Sequence, residues 1–147
     1  MKLLQMESSK SISNELLLAE ASLFLAEGKD VIIKTKGSSM LPFIRGDRDS
    51  VRLRKSASVA VGDIVLAEIR PGCYVLHRIV AVKGESVTLM GDGNLKCTES
   101  CRISDVKGTV VEILDENEQP RRLTNGSVWR RLLPFRRIIL GIYRRII

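Results

Sequence analysis

Long apolar runs are missing from this chain. No window of about 18 apolar residues occurs, which leaves no sequence support for a transmembrane helix. A secretory leader is not expected either, because Met1-Lys2-Leu3-Leu4 is followed by polar residues. Histidine occurs once, at His77. Cysteines number three, Cys73, Cys97 and Cys101. An odd count argues against a disulfide framework and for reduced thiols. Cys97 and Cys101 are spaced C-x-x-x-C, but a zinc site needs further ligands and one histidine is too little help. Neither metal nor cofactor is expected. Aromatics make up only 4% of the chain, so the core must be mainly aliphatic. Acid is missing from residues 127–147, which hold six arginines. Six of the formal +7 charges therefore lie in one tail. A basic face for nucleic acid on the rest of the chain is not expected.

What is present reads as one domain with a tail. The 147 residues suffice to bury a core. Residues 12–27 have helical character. Ser13 is placed to cap this helix, Glu15 lies in its first turn and Gly28 is placed to end it. It is apolar nearly all round, so it needs cover, and packing on the core is the favoured cover over a partner or a membrane. From Val31 to Leu114 the period is that of strands. Predicted strands are Val31–Thr35, Ser50–Arg54, Asp63–Glu68, Tyr74–Val82, Val87–Met90 and Thr109–Leu114, most with glycine turns between them. This spacing predicts a mainly β fold, an antiparallel sheet or barrel spanning residues 1–126 with the N-terminal helix.

Residues 127–147 return to helical spacing. Val128, Trp129, Leu132, Phe135, Ile139, Tyr143 and Ile146 are predicted to share one face, with most arginines opposite, and Pro134 to kink or divide the helix. A basic amphipathic helix carrying Trp, Tyr and Phe has the composition of an anchor on an anionic membrane surface. Packing on the domain or oligomerisation, and then nucleic-acid binding, are the alternative readings, in falling order.

The chemistry is expected at Lys36-Gly37-Ser38-Ser39-Met40-Leu41-Pro42, followed by Gly46-Asp47. Glycine, two serines and a proline make an exposed turn, which can present a serine hydroxyl as a nucleophile. Most such turns are only turns. A serine also needs a base, and His77 is the sole imidazole. The reference pKa of imidazole, about 6.5, suits a base that becomes competent as pH rises towards neutrality. A lone histidine in a strand is more often structural than catalytic, and Asp92 in Gly91-Asp92-Gly93-Asn94 is by itself an ordinary turn former.

Taken together the motifs resemble a family. Gly37-x-Ser39-Met40-x-Pro42, Gly46-Asp47, Gly62-Asp63-Ile64-Val65, His77-Arg78-Ile79-Val80, Gly91-Asp92-x-Asn94 and Asp105-Val106-x-Gly108 look like the ordered boxes of type I signal peptidases. The resemblance runs from about Lys36 to Val111. Histidine in place of a lysine base is similar to the archaeal and endoplasmic-reticulum branch. The resemblance implies a coiled β-sheet peptidase fold and a serine endopeptidase, with Ser39 as nucleophile and His77 as general base. It implies an oxyanion site in the Ser38–Met40 turn and a peptide or preprotein substrate. Met40, Pro42, Phe43 and Ile44 are candidates for substrate contact. In that family an acid soon after the Gly-Asp box often completes a triad. Here Leu95-Lys96-Cys97-Thr98 supplies none and Glu99 comes late, so Asp92 is the expected acid and Glu99 the alternative.

Signal peptidases carry an N-terminal membrane anchor, for which this sequence shows no candidate. The expectation is a cytoplasmic, membrane-peripheral enzyme that cleaves a leader or signal-like peptide. The competing reading is a catalytically inactive peptide- or partner-binding module on the same fold. A self-cleaving repressor is disfavoured, because too few residues precede the first predicted strand to form a helix-turn-helix unit.

Overall fold

The computed structural model describes residues 2–4, 14–94, 96–132 and 135–146. The predicted Ser13 cap and the Pro134 kink lie outside the described residues. In chain order the elements are β1 (Lys2–Leu4), α1 (Asn14–Ala26), β2 (Val31–Lys34), β3 (Ser50–Arg54), β4 (Ile64–Arg70) and β5 (Cys73–Lys83). They continue with β6 (Ser86–Met90), β7 (Glu99–Arg102), β8 (Val106–Leu114), β9 (Pro120–Arg121), α2 (Ser127–Arg131) and α3 (Arg136–Ile146).

The fold is mainly β. One sheet runs in the order β1-β2-β3-β8-β4-β5-β6-β7, with β9 paired to β8. All pairings are antiparallel except β1 with β2. The sheet is open rather than a closed barrel. The predicted C-terminal helix is two helices, α2 and α3.

β3 alternates as its sequence does, with Val51 and Leu53 buried between more exposed Ser50, Arg52 and Arg54. β4 lies at the centre, where Ile64, Val65, Leu66 and Ala67 are all buried. Ile64 and Leu66 join one core with Ala21 and Leu25 of α1. Val65 and Ala67 join a second core with Ile79, Val87 and Leu89. Both faces of β4 are thus covered, as its unbroken apolar run demands. Each fully buried aliphatic side chain contributes about 1.5–3 kcal/mol. Gly108 explains why β8 can pass under α1. A Cβ there would lie 2.9 Å from a Leu25 methyl and 3.1 Å from the Arg54 carbonyl oxygen.

A third apolar cluster joins the tail to the domain. Leu41, Trp129 and Leu140 are its buried members, with Phe43, Leu132, Ile139 and Tyr143 packed around them. The inward face of the tail therefore differs from the predicted one. Trp129, Leu132, Ile139 and Tyr143 turn towards the domain, whereas Val128, Phe135, Ile138, Ile142 and Ile146 are exposed. The tail carries two apolar stripes, and only one is covered.

Candidate active site

The candidate nucleophile sits between β2 and a short helical turn. Gly37 takes a positive φ of 75° and lets the chain leave the extended path of β2. Leu41 N–H then donates to the Ser38 carbonyl at 3.2 Å, and Ile44 N–H to that of Met40 at 3.0 Å. Ser38 is exposed, Ser39 half-buried and Met40 buried. The Leu41–Pro42 bond is cis. The loop closes at its neck, where Gly46 packs so tightly on Gly37 that a Cβ would overlap the Gly37 backbone. Asp47, at φ 64°, donates its N–H to the Thr35 carbonyl at 2.8 Å. The fully buried Asp49 fixes the same neck. Its carboxylate accepts from Arg45 N–H at 2.7 Å, from the Arg45 guanidinium at 3.1 Å and from Arg121.

Ser39 and His77 line one cleft of about 200 Å³. Ile33, Met40, Ile44, Leu76 and Leu18 of α1 supply much of its apolar lining. Of the residues expected to meet substrate, Met40 and Ile44 line this cleft, whereas Pro42 and Phe43 do not, nor does Ser38. Phe43 instead meets Trp129 edge to face, with centroids 6.1 Å apart.

His77 is buried in β5, and its Nδ1 lies 3.0 Å from Oε2 of Glu99 at the start of β7. An ionised carboxylate only accepts, so this contact favours the tautomer with the proton on Nδ1 and the lone pair on Nε2. The pairing ladder explains how residues 22 positions apart meet. β5 pairs with β6 through Ile79 and Leu89, and β6 with β7 through Leu89 and Glu99.

Asp92 is held elsewhere. Its two carboxylate oxygens accept from Arg78 Nε and Nη2, both at 2.8 Å, and both side chains are almost fully buried. The acid the structure brings to His77 is Glu99, and the expected role of Asp92 beside His77 is corrected accordingly. With both oxygens taken by Arg78, Asp92 belongs to the scaffold. Arg78 Nη1 also donates to the carbonyls of Gly62 at 2.8 Å and Thr124 at 2.7 Å, and its guanidinium stacks 5.2 Å over Phe43. No buried side-chain polar atom is left without a partner among the described residues.

This hub is pressed against the serine loop. Gly93 N–H donates to the Ser39 carbonyl at 2.8 Å, and Asp92 N–H faces the Met40 sulfur at 3.5 Å. A Cβ on Gly91 would overlap the Ser39 carbonyl oxygen, and one on Gly93 that of Ser38. Both glycines are therefore required for close approach. Trp129 Nε1 donates to the Asp92 carbonyl at 2.8 Å, and buried Arg136 reaches the Asn94 carbonyl at 3.4 Å. Burial pushes the Arg136 guanidinium below its ordinary pKa. The tail thus rests on the turn that supports the candidate nucleophile.

No cysteine lines the cleft among the described residues. Cys97 is exposed, and burial pushes the Cys101 thiol up. Among the described residues no group of three or more His, Cys, Asp or Glu is placed to hold a metal ion. No protein-family model matches the chain, and no curated protein matches it.

Proposed function

We propose that the chain is a serine endopeptidase of signal peptidase type that cleaves a leader or signal-like peptide. The observation that supports this best is the convergence of Ser39 and His77 in one cleft, with Glu99 behind His77. Glu99 orients the imidazole, and His77 Nε2 takes the proton as Ser39 Oγ attacks the scissile carbonyl. The Ser39 N–H in the turn is assigned to the oxyanion. The tetrahedral intermediate collapses with cleavage of the C–N bond, and the imidazolium gives its proton to the departing amine. His77 then activates water, which releases the acyl group and restores the serine.

A peripheral position on an anionic membrane, facing the cytoplasm, is the second part of this proposal. Among the described residues no helix is long and apolar enough to cross a membrane. The support for peripheral contact is the uncovered stripe of Phe135, Ile138, Ile142 and Ile146 beside exposed Arg137, Arg144 and Arg145. Co-sedimentation with anionic vesicles is expected to weaken with salt and with Ile138→Asp/Ile142→Asp, and unchanged binding in that variant would remove α3 as the contact.

The catalytic part is tested by a serine-directed acylating probe on wild type, Ser39→Ala and His77→Ala, read by intact mass. Labelling of wild type and its loss in both variants is the expected result. Folded wild type that takes up no label, with vesicles supplied, would leave a binding module on this fold.

A further inference from the structure

The cleft that holds Ser39 and His77 is unequal in its lining. Beside its apolar residues the lining includes two cations, Lys34 and Lys36. They lie two residues apart, Lys34 as the last residue of β2 and Lys36 just beyond it. Thr35 between them also lines the cleft and is buried, its hydroxyl donating to the Asp49 carbonyl at 2.8 Å. Both lysines are exposed. Two lysines elsewhere have carboxylates within reach, Lys29 with Glu27 and Lys107 with Glu68, whereas Lys55, Lys83 and Lys96, like the cleft pair, join no ion pair among the described residues. Among the described residues neither Lys34 nor Lys36 belongs to an ion pair. No aspartate or glutamate lines the cleft among the described residues either. The nearest acid to the reacting groups, Glu99, is engaged by His77. Asp47 follows the cleft residue Gly46 but makes no ion pair with either lysine among the described residues.

Two lysines in one cleft lining, with no carboxylate in that lining among the described residues, attract an anion. We propose that the cleft takes peptides with an acidic residue within a few positions of the scissile bond, beside an apolar side chain that seats on the apolar lining, and that Lys34 and Lys36 determine this specificity. The proposal rests on the peptidase reading of Ser39 and His77 and adds the substrate class. Charges at a solvent-exposed rim act through an attraction that salt screens, with a Debye length of about 8 Å at physiological ionic strength. Each lysine is expected to contribute about two- to fivefold to selectivity at low salt, and the pair about tenfold.

The test has two arms. In the first, a peptide mixture with randomised positions is digested by wild type and by Lys34→Gln/Lys36→Gln, and the cleaved bonds are read by mass spectrometry. Glutamate and aspartate enriched near the bonds cut by wild type, with the enrichment lost in the variant and the apolar preference kept, is the expected result. Absence of acid enrichment in wild type, or its persistence in the variant, overturns the proposal. In the second arm, catalysis is removed by Ser39→Ala. Anisotropy then compares a fluorescent apolar peptide carrying one glutamate with its glutamine twin, at low and high salt. Tighter binding of the glutamate peptide that needs both lysines and fades with salt supports the proposal even if nothing is cleaved, in which case only the peptidase reading fails. Equal binding of the twins overturns the proposal and leaves the peptidase reading to its own test.

Discussion

His77 and Arg78 are neighbours in β5, and they serve two different regions of the molecule. Successive strand residues point to opposite faces. One face carries His77 to the cleft, where its ring meets Glu99, an acid with a quarter of its side chain exposed at 24%. The other face carries Arg78 into a dry hub, where Asp92, two carbonyl groups and the Phe43 ring take up its guanidinium. The first region opens on the cleft, and the second is dry and fully paired. They are joined at the serine loop, because the turn that carries Asp92 also bonds the carbonyl of Ser39. A single-residue slip of β5 would exchange the faces of His77 and Arg78 and part each from its carboxylate, so register here decides both contacts.

The sharpest way to break this division is to remove one partner of the hub. Asp92→Ala leaves a buried, uncompensated guanidinium, and the loss expected is about 3–5 kcal/mol. It is measured by denaturant unfolding. A loss below about 1 kcal/mol would mean that the hub does not carry the fold. The double variant Arg78→Met/Asp92→Leu is expected to recover much of that stability, because neither charge is then buried alone.

The link between the regions is tested at Gly93. Gly93→Ala forces a methyl group against the Ser38 carbonyl oxygen. Overpacking of this kind costs about 1–3 kcal/mol, which leaves the protein folded with a displaced loop. Ser39 labelling is expected to slow by about a hundredfold, the effect of a misplacement near 1 Å. Full labelling in a folded variant would show that the glycine turn does not position the nucleophile.

At the cleft the expected change in stability is smaller still. Glu99→Gln keeps an acceptor for the imidazole but removes the charge that balances the imidazolium. Labelling is expected to fall about a hundredfold. Stability should change by less than about 1 kcal/mol, since the side chain is partly in water. Unchanged labelling in Glu99→Gln would reduce Glu99 to a surface contact. Asp92→Ala and Glu99→Gln thus separate a residue whose loss unfolds from one whose loss only silences.

The same division explains what could be read from the chain. β3 follows from its alternation, and most of β4, β5 and β6 from their apolar, β-branched runs between glycine turns. β7 does not, because Glu-Ser-Cys-Arg is short and polar and its residues alternate between half-buried and exposed. Glu99 was therefore legible only as a late alternative, since its place beside His77 depends on two strand registers and not on spacing. Asp92 stood out as part of a turn, but no local pattern shows which charge it meets across the fold. The serine loop could be located from its glycines, serines and proline, while the need for Gly91 and Gly93 appears only where two turns touch. In the tail, amphipathic spacing marked a helix but not which stripe faces in. Trp129 points inward because its N–H finds the Asp92 carbonyl.

The smallest expected effect comes from a pair that repeats the hub's geometry in water. Arg54 holds Asp30 through Nε at 3.1 Å and Nη2 at 2.9 Å, the same two-pronged contact that Arg78 makes to Asp92. Here the arginine side chain is 59% exposed and the aspartate 21%, so solvent screens the attraction. The Arg54 hydrogen bond holds the Asp30 carboxyl below its ordinary pKa of 3.8. A lowered carboxylate pKa gives stability that is present above the ordinary value and lost as pH falls through the lowered one. Asp30→Asn should therefore leave the melting temperature at pH 7 nearly unchanged and reduce the drop between pH 7 and about pH 3. Ser39 labelling should not respond. If Asp30→Asn instead cost as much at neutral pH as Asp92→Ala, burial would not be what separates the two pairs, and the hub's rigidity would need another source.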